Sequence, residues 1–213
     1  MKTDDLIELL ACEAGPVKTD LGARRFALAL GVGGLCAALL MRLTIGLNPE
    51  LAEYTRLPNF WAKLVFVAAL AGVSLVAVPR LARPGVGLGR LPVVLAIPVL
   101  AMWSAGIFVL ITSTPAERVE AFFGQTWKVC PFLIAMLSIP VFVCVVWAMK
   151  GLAPTRLRLA GAAAGFLSGA VGAVVYCLHC PELGLPFVGC WYLLGILIPT
   201  AIGALLGERL LRW

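Results

Sequence analysis

Of the 213 residues, 62% are hydrophobic and only 13% are charged, with a mean hydropathy of +1.01, where an ordinary soluble domain carries roughly 25% charged residues. That balance excludes a water-soluble globule and indicates one integral membrane bundle with a short tail. The net charge of +6 does not signal a nucleic-acid groove. The cations flank apolar runs and do not cluster with aromatics, so no direct nucleic-acid contact is expected.

The chain divides at about residue 25. Segment 1–25 is polar and holds Asp4, Asp5, Glu8, Glu13 and Asp20, nearly half of the acids, which is the wrong composition for a signal peptide. Thr3 can cap a short helix whose first turn carries Asp4 and Asp5, favourable at the positive end of the helix dipole. Leu6, Ile7, Leu10 and Ala14 then fall on one face before Gly15-Pro16 ends the helix. A helix this short is marginal alone. It is either a frayed tail or an amphipathic segment that orders on a partner, with Asp4, Asp5, Leu6, Ile7 and Leu10 as the candidate partner-binding residues. Its acidic polar face argues against a lipid-surface helix.

Residues 26–213 form the membrane domain, an all-α bundle of six transmembrane helices predicted at about 26–47, 61–79, 91–112, 127–148, 158–178 and 188–206, each near the roughly 20 residues that cross a bilayer. Most of the cations, from Lys2, Lys18, Arg24 and Arg25 through Arg80, Arg83 and Arg90 to Arg209 and Arg212, fall on one side of the bundle. The positive-inside rule then places both termini in the cytoplasm. Arg42, Lys63 and Lys128 lie within spans near the far face, where long stems are expected to snorkel to the interface. Gly161, Gly165 and Gly169 keep a four-residue step, and Gly31, Gly33 and Gly34 recur in the first span. Such spacing lets backbones approach closely and predicts a central fifth span. Pro98, Pro140 and Pro199 are interior prolines that neighbouring helices can tolerate.

This topology gathers Cys130, Cys177, Cys180 and Cys190, with the sole histidine, His179, and Glu182, at the outward end. Thiolates and imidazole suit a soft metal, although no second histidine supports a permanent site. Two thiols from different helices could equally form a switch in an oxidising compartment. Cys177-Leu178-His179-Cys180 is formally the Cys-x-x-Cys unit of an oxidoreductase, without the thioredoxin-like context. The structural alternative is ordinary apolar cysteines, as is read for Cys12, Cys36 and Cys144. Ser168 and His179 stand roughly 16 Å apart along one helix and cannot form a dyad. A small transporter would show mid-membrane charges or matching broken helices.

Several stretches together resemble a known family: Met1-Lys2-Thr3-Asp4-Asp5-Leu6-Ile7, Asn59-Phe60-Trp61-Ala62-Lys63-Leu64, Ala82-Arg83-Pro84-Gly85, Trp127-Lys128-Val129-Cys130, Ala153-Pro154-Thr155, Tyr176-Cys177-Leu178-His179-Cys180-Pro181-Glu182 and Leu211-Arg212-Trp213. They are similar to the NrsF-type negative regulators of an extracytoplasmic-function sigma factor. The resemblance implies a six-span bacterial inner-membrane anti-sigma factor that is not an enzyme and has no permanent cofactor. Its N-terminal segment would hold the sigma factor, and Cys130 and Cys180 would sense heavy-metal or oxidant stress. A transient heavy-metal ion would have Cys130, Cys180 and His179 as candidate ligands. His179 and Glu182 are candidates for tuning the thiol, and Cys177 and Cys190 are extra thiols outside the family pattern.

Overall fold

The computed structural model describes Thr3, Glu8, Cys12 and residues 21–212 except Pro84. Thr3, Glu8 and Cys12 have helical backbone and are exposed; Asp4, Asp5, Leu6, Ile7 and Leu10 lie outside the described residues. Every described element is helical: α1 (Leu21–Thr44), α2 (Leu51–Tyr54), α3 (Pro58–Leu81), α4 (Leu91–Thr112), α5 (Pro115–Phe123), α6 (Cys130–Lys150), α7 (Leu157–Tyr176) and α8 (Leu185–Leu210). Six of them, all but α2 and α5, are long and apolar enough to cross a membrane. Proline in the first turn opens α3, α4, α5, α6 and α8, where its missing N–H would have had no intrahelical partner.

The spans differ from expectation at their ends. α1 starts at Leu21 and takes in Arg24 and Arg25, because a helix is held by its own hydrogen bonds and can run past the apolar slab. Arg25 then stacks over Trp147, 5.8 Å from the ring centre, a cation–π contact. Two segments expected as loops contain the short helices α2 and α5. α8 begins at Leu185 and passes through a π-helical turn at Val188–Tyr192.

α7 lies at the centre, with 61% of its most apolar stretch buried against 11% for α4. Its glycines explain the placement. A Cβ on Gly161 would strike the Gly203 carbonyl, one on Gly165 would strike the Pro199 carbonyl, and one on Gly169 would come 2.9 Å from the Ile196 Cα. Gly172 faces α6 in the same way, where a Cβ would come 3.0 Å from the Ile134 carbonyl oxygen. In α1 only Gly33 sits at such an interface, where a Cβ would come 2.8 Å from the Val141 Cα, whereas Gly31 and Gly34 face open space. The expectation of close packing therefore holds at one of the three.

Candidate sensor site

The site is built where α7 runs out. After Tyr176 the backbone continues for one more turn, with Cys177 N–H donating to Ala173 and Cys180 N–H donating to Tyr176, both at 3.0 Å. Pro181, which has no N–H, follows at once. This turn puts Cys177 and Cys180 into the core beside Cys130, the first residue of α6; the three are 1% exposed or less. Tyr176 and Tyr192 close the same apolar cluster, their rings 5.7 Å apart.

Neighbouring segments tie the turn down. Asn48 N–H donates to the Leu178 carbonyl at 3.2 Å. His179 Nδ1 lies 3.0 Å from the Gly46 carbonyl oxygen, and since a carbonyl only accepts, the imidazole donates from that nitrogen. One Glu182 carboxylate oxygen accepts from Gln125 N–H at 2.7 Å, from Thr126 N–H at 3.2 Å and from the Thr126 hydroxyl at 3.3 Å. His179 and Glu182 thus bind backbone and loop groups of other segments.

Lys63 is the residue that sequence reasoning misplaced. It does not snorkel: it is fully buried, and its ammonium donates to the carbonyls of Cys180 at 2.9 Å and Glu182 at 3.1 Å. The phase of α3 puts it there, since Phe60, Lys63, Phe66, Val67 and Leu70 share the buried face. Among the described residues the only ion pair is Arg158–Glu208, so Lys63 has no carboxylate partner there. The signal available in the sequence was a cation inside an apolar span, which in a bilayer marks function by default.

The thiols are not equivalent. The neighbouring Cys130 thiol is the main influence holding the Cys180 thiol below its ordinary value; burial opposes it, and the Lys63 charge, the Tyr192 hydroxyl and the Glu182 backbone reinforce it. Burial pushes the Cys177 thiol up to about 12. The Tyr192 hydroxyl, although near enough to influence both sulfurs, has no partner at hydrogen-bond geometry among the described residues. Cys190 does not join the cluster; it lines a separate hollow with Trp103, Gly106 and Pro186. All seven cysteines are free thiols.

Among the described residues no three or more His, Cys, Asp or Glu side chains are arranged to hold a metal ion. Cys130 and Cys180 supply two soft donors, while the Nδ1 of His179 is engaged by Gly46. Ser168 is buried and donates to the Ala164 carbonyl at 2.7 Å, so it is spent on its own helix.

Six helices long and apolar enough to span, with Cys130, Cys177 and Cys180 buried together at one end, are the frame of a multi-pass membrane protein. The family model for "Negative regulator of sigma F" (NrsF) matches residues 10–213, and the chain belongs to the NrsF family, a class of regulators and not of enzymes. It is 57% identical to the "Probable anti-sigma-F factor NrsF" of Azospira oryzae over the whole of both chains. It is 40% identical to the "Anti-sigma-F factor NrsF" of Caulobacter vibrioides, again over all of both. No solved structure matches the chain.

Proposed function

We propose that the protein is a membrane-bound anti-sigma factor of the bacterial inner membrane, with both termini in the cytoplasm. Segment 1–25, through Asp4, Asp5, Leu6, Ile7 and Leu10, sequesters an extracytoplasmic-function sigma factor and releases it when Cys130 and Cys180 are modified by a heavy metal or an oxidant. Full-length identity to two relatives named as anti-sigma-F factors supports the partner class. The observation that carries the sensing step is the burial of Cys130, the first residue of α6, beside Cys180 in the turn after α7, a turn tied to α3 and to the loops before α2 and α6.

The chemistry balances with either signal. A two-electron oxidant leaves a disulfide as the two thiols lose two protons and two electrons; a soft cation displaces the two protons and bridges the thiolates. Both change the sulfur–sulfur separation inside a closed cluster, and packed interiors answer such changes by shifting helices instead of deforming smoothly. The shift would pass along α6 and α7 to the opposite end of the bundle.

The test is a strain carrying a reporter transcribed by the cognate sigma factor. Cys130→Ser with Cys180→Ser should leave basal repression intact and abolish induction by cadmium or chromate. Induction that persists in this variant at normal protein level removes the thiols from the signal path. Leu6→Glu with Leu10→Glu should release the reporter without stress while the protein stays in the membrane.

A further inference from the structure

We infer that the bundle carries a binding site for one anionic phospholipid, formed where α4 stands away from α3 and α7 at the arginine-rich end. Two adjoining hollows make it. The inner one, about 210 Å³, lies between the spans and is walled by small or apolar side chains, among them Ala77, Leu95, Ala162, Ala163 and Phe166. The outer one, about 270 Å³, shares Leu81 with the first and is lined by Arg83, Thr155, Arg156 and the backbone around Gly85 and Gly87. An amphiphile with an acyl tail and a negative head matches that succession. The tail fills the inner hollow, and two guanidiniums take the phosphate oxygens by paired N–H bonds. Basic hollows between spanning helices are a recurrent setting for acidic lipid heads.

The hollow follows from how α4 is attached. Its buried residues are Met102 and Gly106, both in the half nearer the cysteines. Gly106 there packs on the Pro186 backbone, where an added Cβ would come 3.2 Å from the Pro186 Cα, and Trp103 Nε1 donates to the Gly189 carbonyl at 2.9 Å. The other half, from Leu91, has no buried residue. The turn leading into it uses positive φ at Gly85 and Gly89, +76° and +55°, a conformation open to glycine at little cost. Across the gap, Ala153 takes a φ of 49° next to the buried Pro154, which leaves Thr155 and Arg156 exposed at the mouth.

Charge selects the occupant. Among the described residues neither Arg83 nor Arg156 has a carboxylate partner. A span from a second copy would bring none, because the six spanning helices contain one acid, Glu208, already 2.7 Å from Arg158. A soluble partner could cover the arginines but would not fill an apolar hollow between spans.

The full chain, purified in micelles, is given equal phosphatidylglycerol and phosphatidylcholine, and retained lipid is read by native mass spectrometry. The expected result is selective retention of phosphatidylglycerol, falling about fivefold for each arginine changed in Arg83→Gln and Arg156→Gln, the equivalent of ~1 kcal/mol per cation. Ala162→Phe should lower retention of both lipids by filling the tail hollow, at an unchanged unfolding temperature. Arg209→Gln with Arg212→Gln removes the same charge from the same end and should leave retention as it was. Equal retention of phosphatidylcholine, full retention in the Arg83/Arg156 double variant, or equal loss in the Arg209/Arg212 control overturns the site. Inorganic phosphate that displaces phosphatidylglycerol makes it a free-anion site, and selectivity gained only with Asp4→Asn and Asp5→Asn makes the acidic segment the occupant; either result overturns the lipid.

Discussion

α7 and α4 are both spanning helices, and the more apolar of the two is the less buried. The most apolar stretch of α4 has a mean hydropathy of 2.4 and is 11% buried; that of α7 has 1.7 and is 61% buried. In water the ranking would run the other way. In a bilayer the lipid tails are as apolar as leucine, so hydropathy brings a helix into the membrane without choosing its neighbours. What chooses them is how closely backbones can approach. α7 presents glycine at residues 161, 165, 169 and 172 and meets α8 and α6 backbone to backbone, whereas α4 presents large side chains such as Ile97, Trp103 and Phe108 to the outside.

The sharpest way to break this contrast is Gly165→Leu. Its Cβ would overlap the Pro199 carbonyl and sit 2.8 Å from the Thr200 Cα, and backbone cannot swing aside as a side chain can. Overpacking of this kind costs about 3 kcal/mol or more. Thermal unfolding in micelles should show a large loss of stability, while Ile97→Leu on exposed α4 should stay within roughly 0.5 kcal/mol of the parent. Equal unfolding temperatures for the two variants would mean that the α7–α8 seam is not what holds the bundle.

A smaller effect is expected from Lys63→Met, which probes how the cysteine turn is fastened. The change leaves the Cys180 and Glu182 carbonyls without their buried donor. A hydrogen bond to a charged group contributes about 1.5–3 kcal/mol, and relieving a buried ammonium of its desolvation offsets part of that loss. A net destabilisation of about 1–2 kcal/mol should be concentrated locally. Amide exchange should rise across residues 177–184 and alkylation of Cys180 should accelerate, with exchange along the α7–α8 seam unchanged. Unaltered exchange in the turn would show that the Glu182 and His179 contacts fasten it without Lys63.

Lys63 also shows where the sequence stops being informative. Hydropathy reports depth in the membrane, so the six spans, the common level of Cys130, Cys177, Cys180 and Cys190 at one end and the central α7 could all be read, the last from a four-residue glycine step. Hydropathy does not report azimuth. Cys190 shares its depth with Cys130 but faces a different hollow, and a lysine near a span end satisfies the snorkelling pattern whether its stem points outward or inward. Only the helical phase of Phe60, Lys63 and Phe66 distinguishes the two, and the large apolar residues flanking Lys63 on both faces of α3 obscure that phase. The Thr114-x-x-Glu117 spacing that starts α5 was open to reading as a capping box; its setting between two spans made a loop the simpler expectation.

That capping box supplies the smallest test, at the far edge of the contrast. Glu117 accepts the Thr114 N–H at 2.9 Å and the Thr114 side chain accepts from the third residue of α5, which is the reciprocal arrangement that closes a helix start. The backbone hydrogen bond from Thr114 holds the Glu117 carboxyl below its usual range. A carboxyl lowered in the folded state contributes stability above its unfolded value, and that contribution is lost as pH falls through the folded value. The start of α5 should therefore loosen on acidification below about pH 4. Thr114→Ala should cost about 1 kcal/mol at any pH where the box is formed. α5 delivers Phe122 and Phe123 to a cluster with Trp127 and Trp191, and the Phe122 carbonyl accepts from the Trp191 ring nitrogen at 2.8 Å. Tryptophan emission should therefore report the loosening, with amide exchange rising only across Pro115–Phe123. If Thr114→Ala instead lowers the unfolding temperature as far as Gly165→Leu does, α5 belongs to the same cooperative unit as the glycine seam, and the division between a close-packed centre and loosely held edges is wrong.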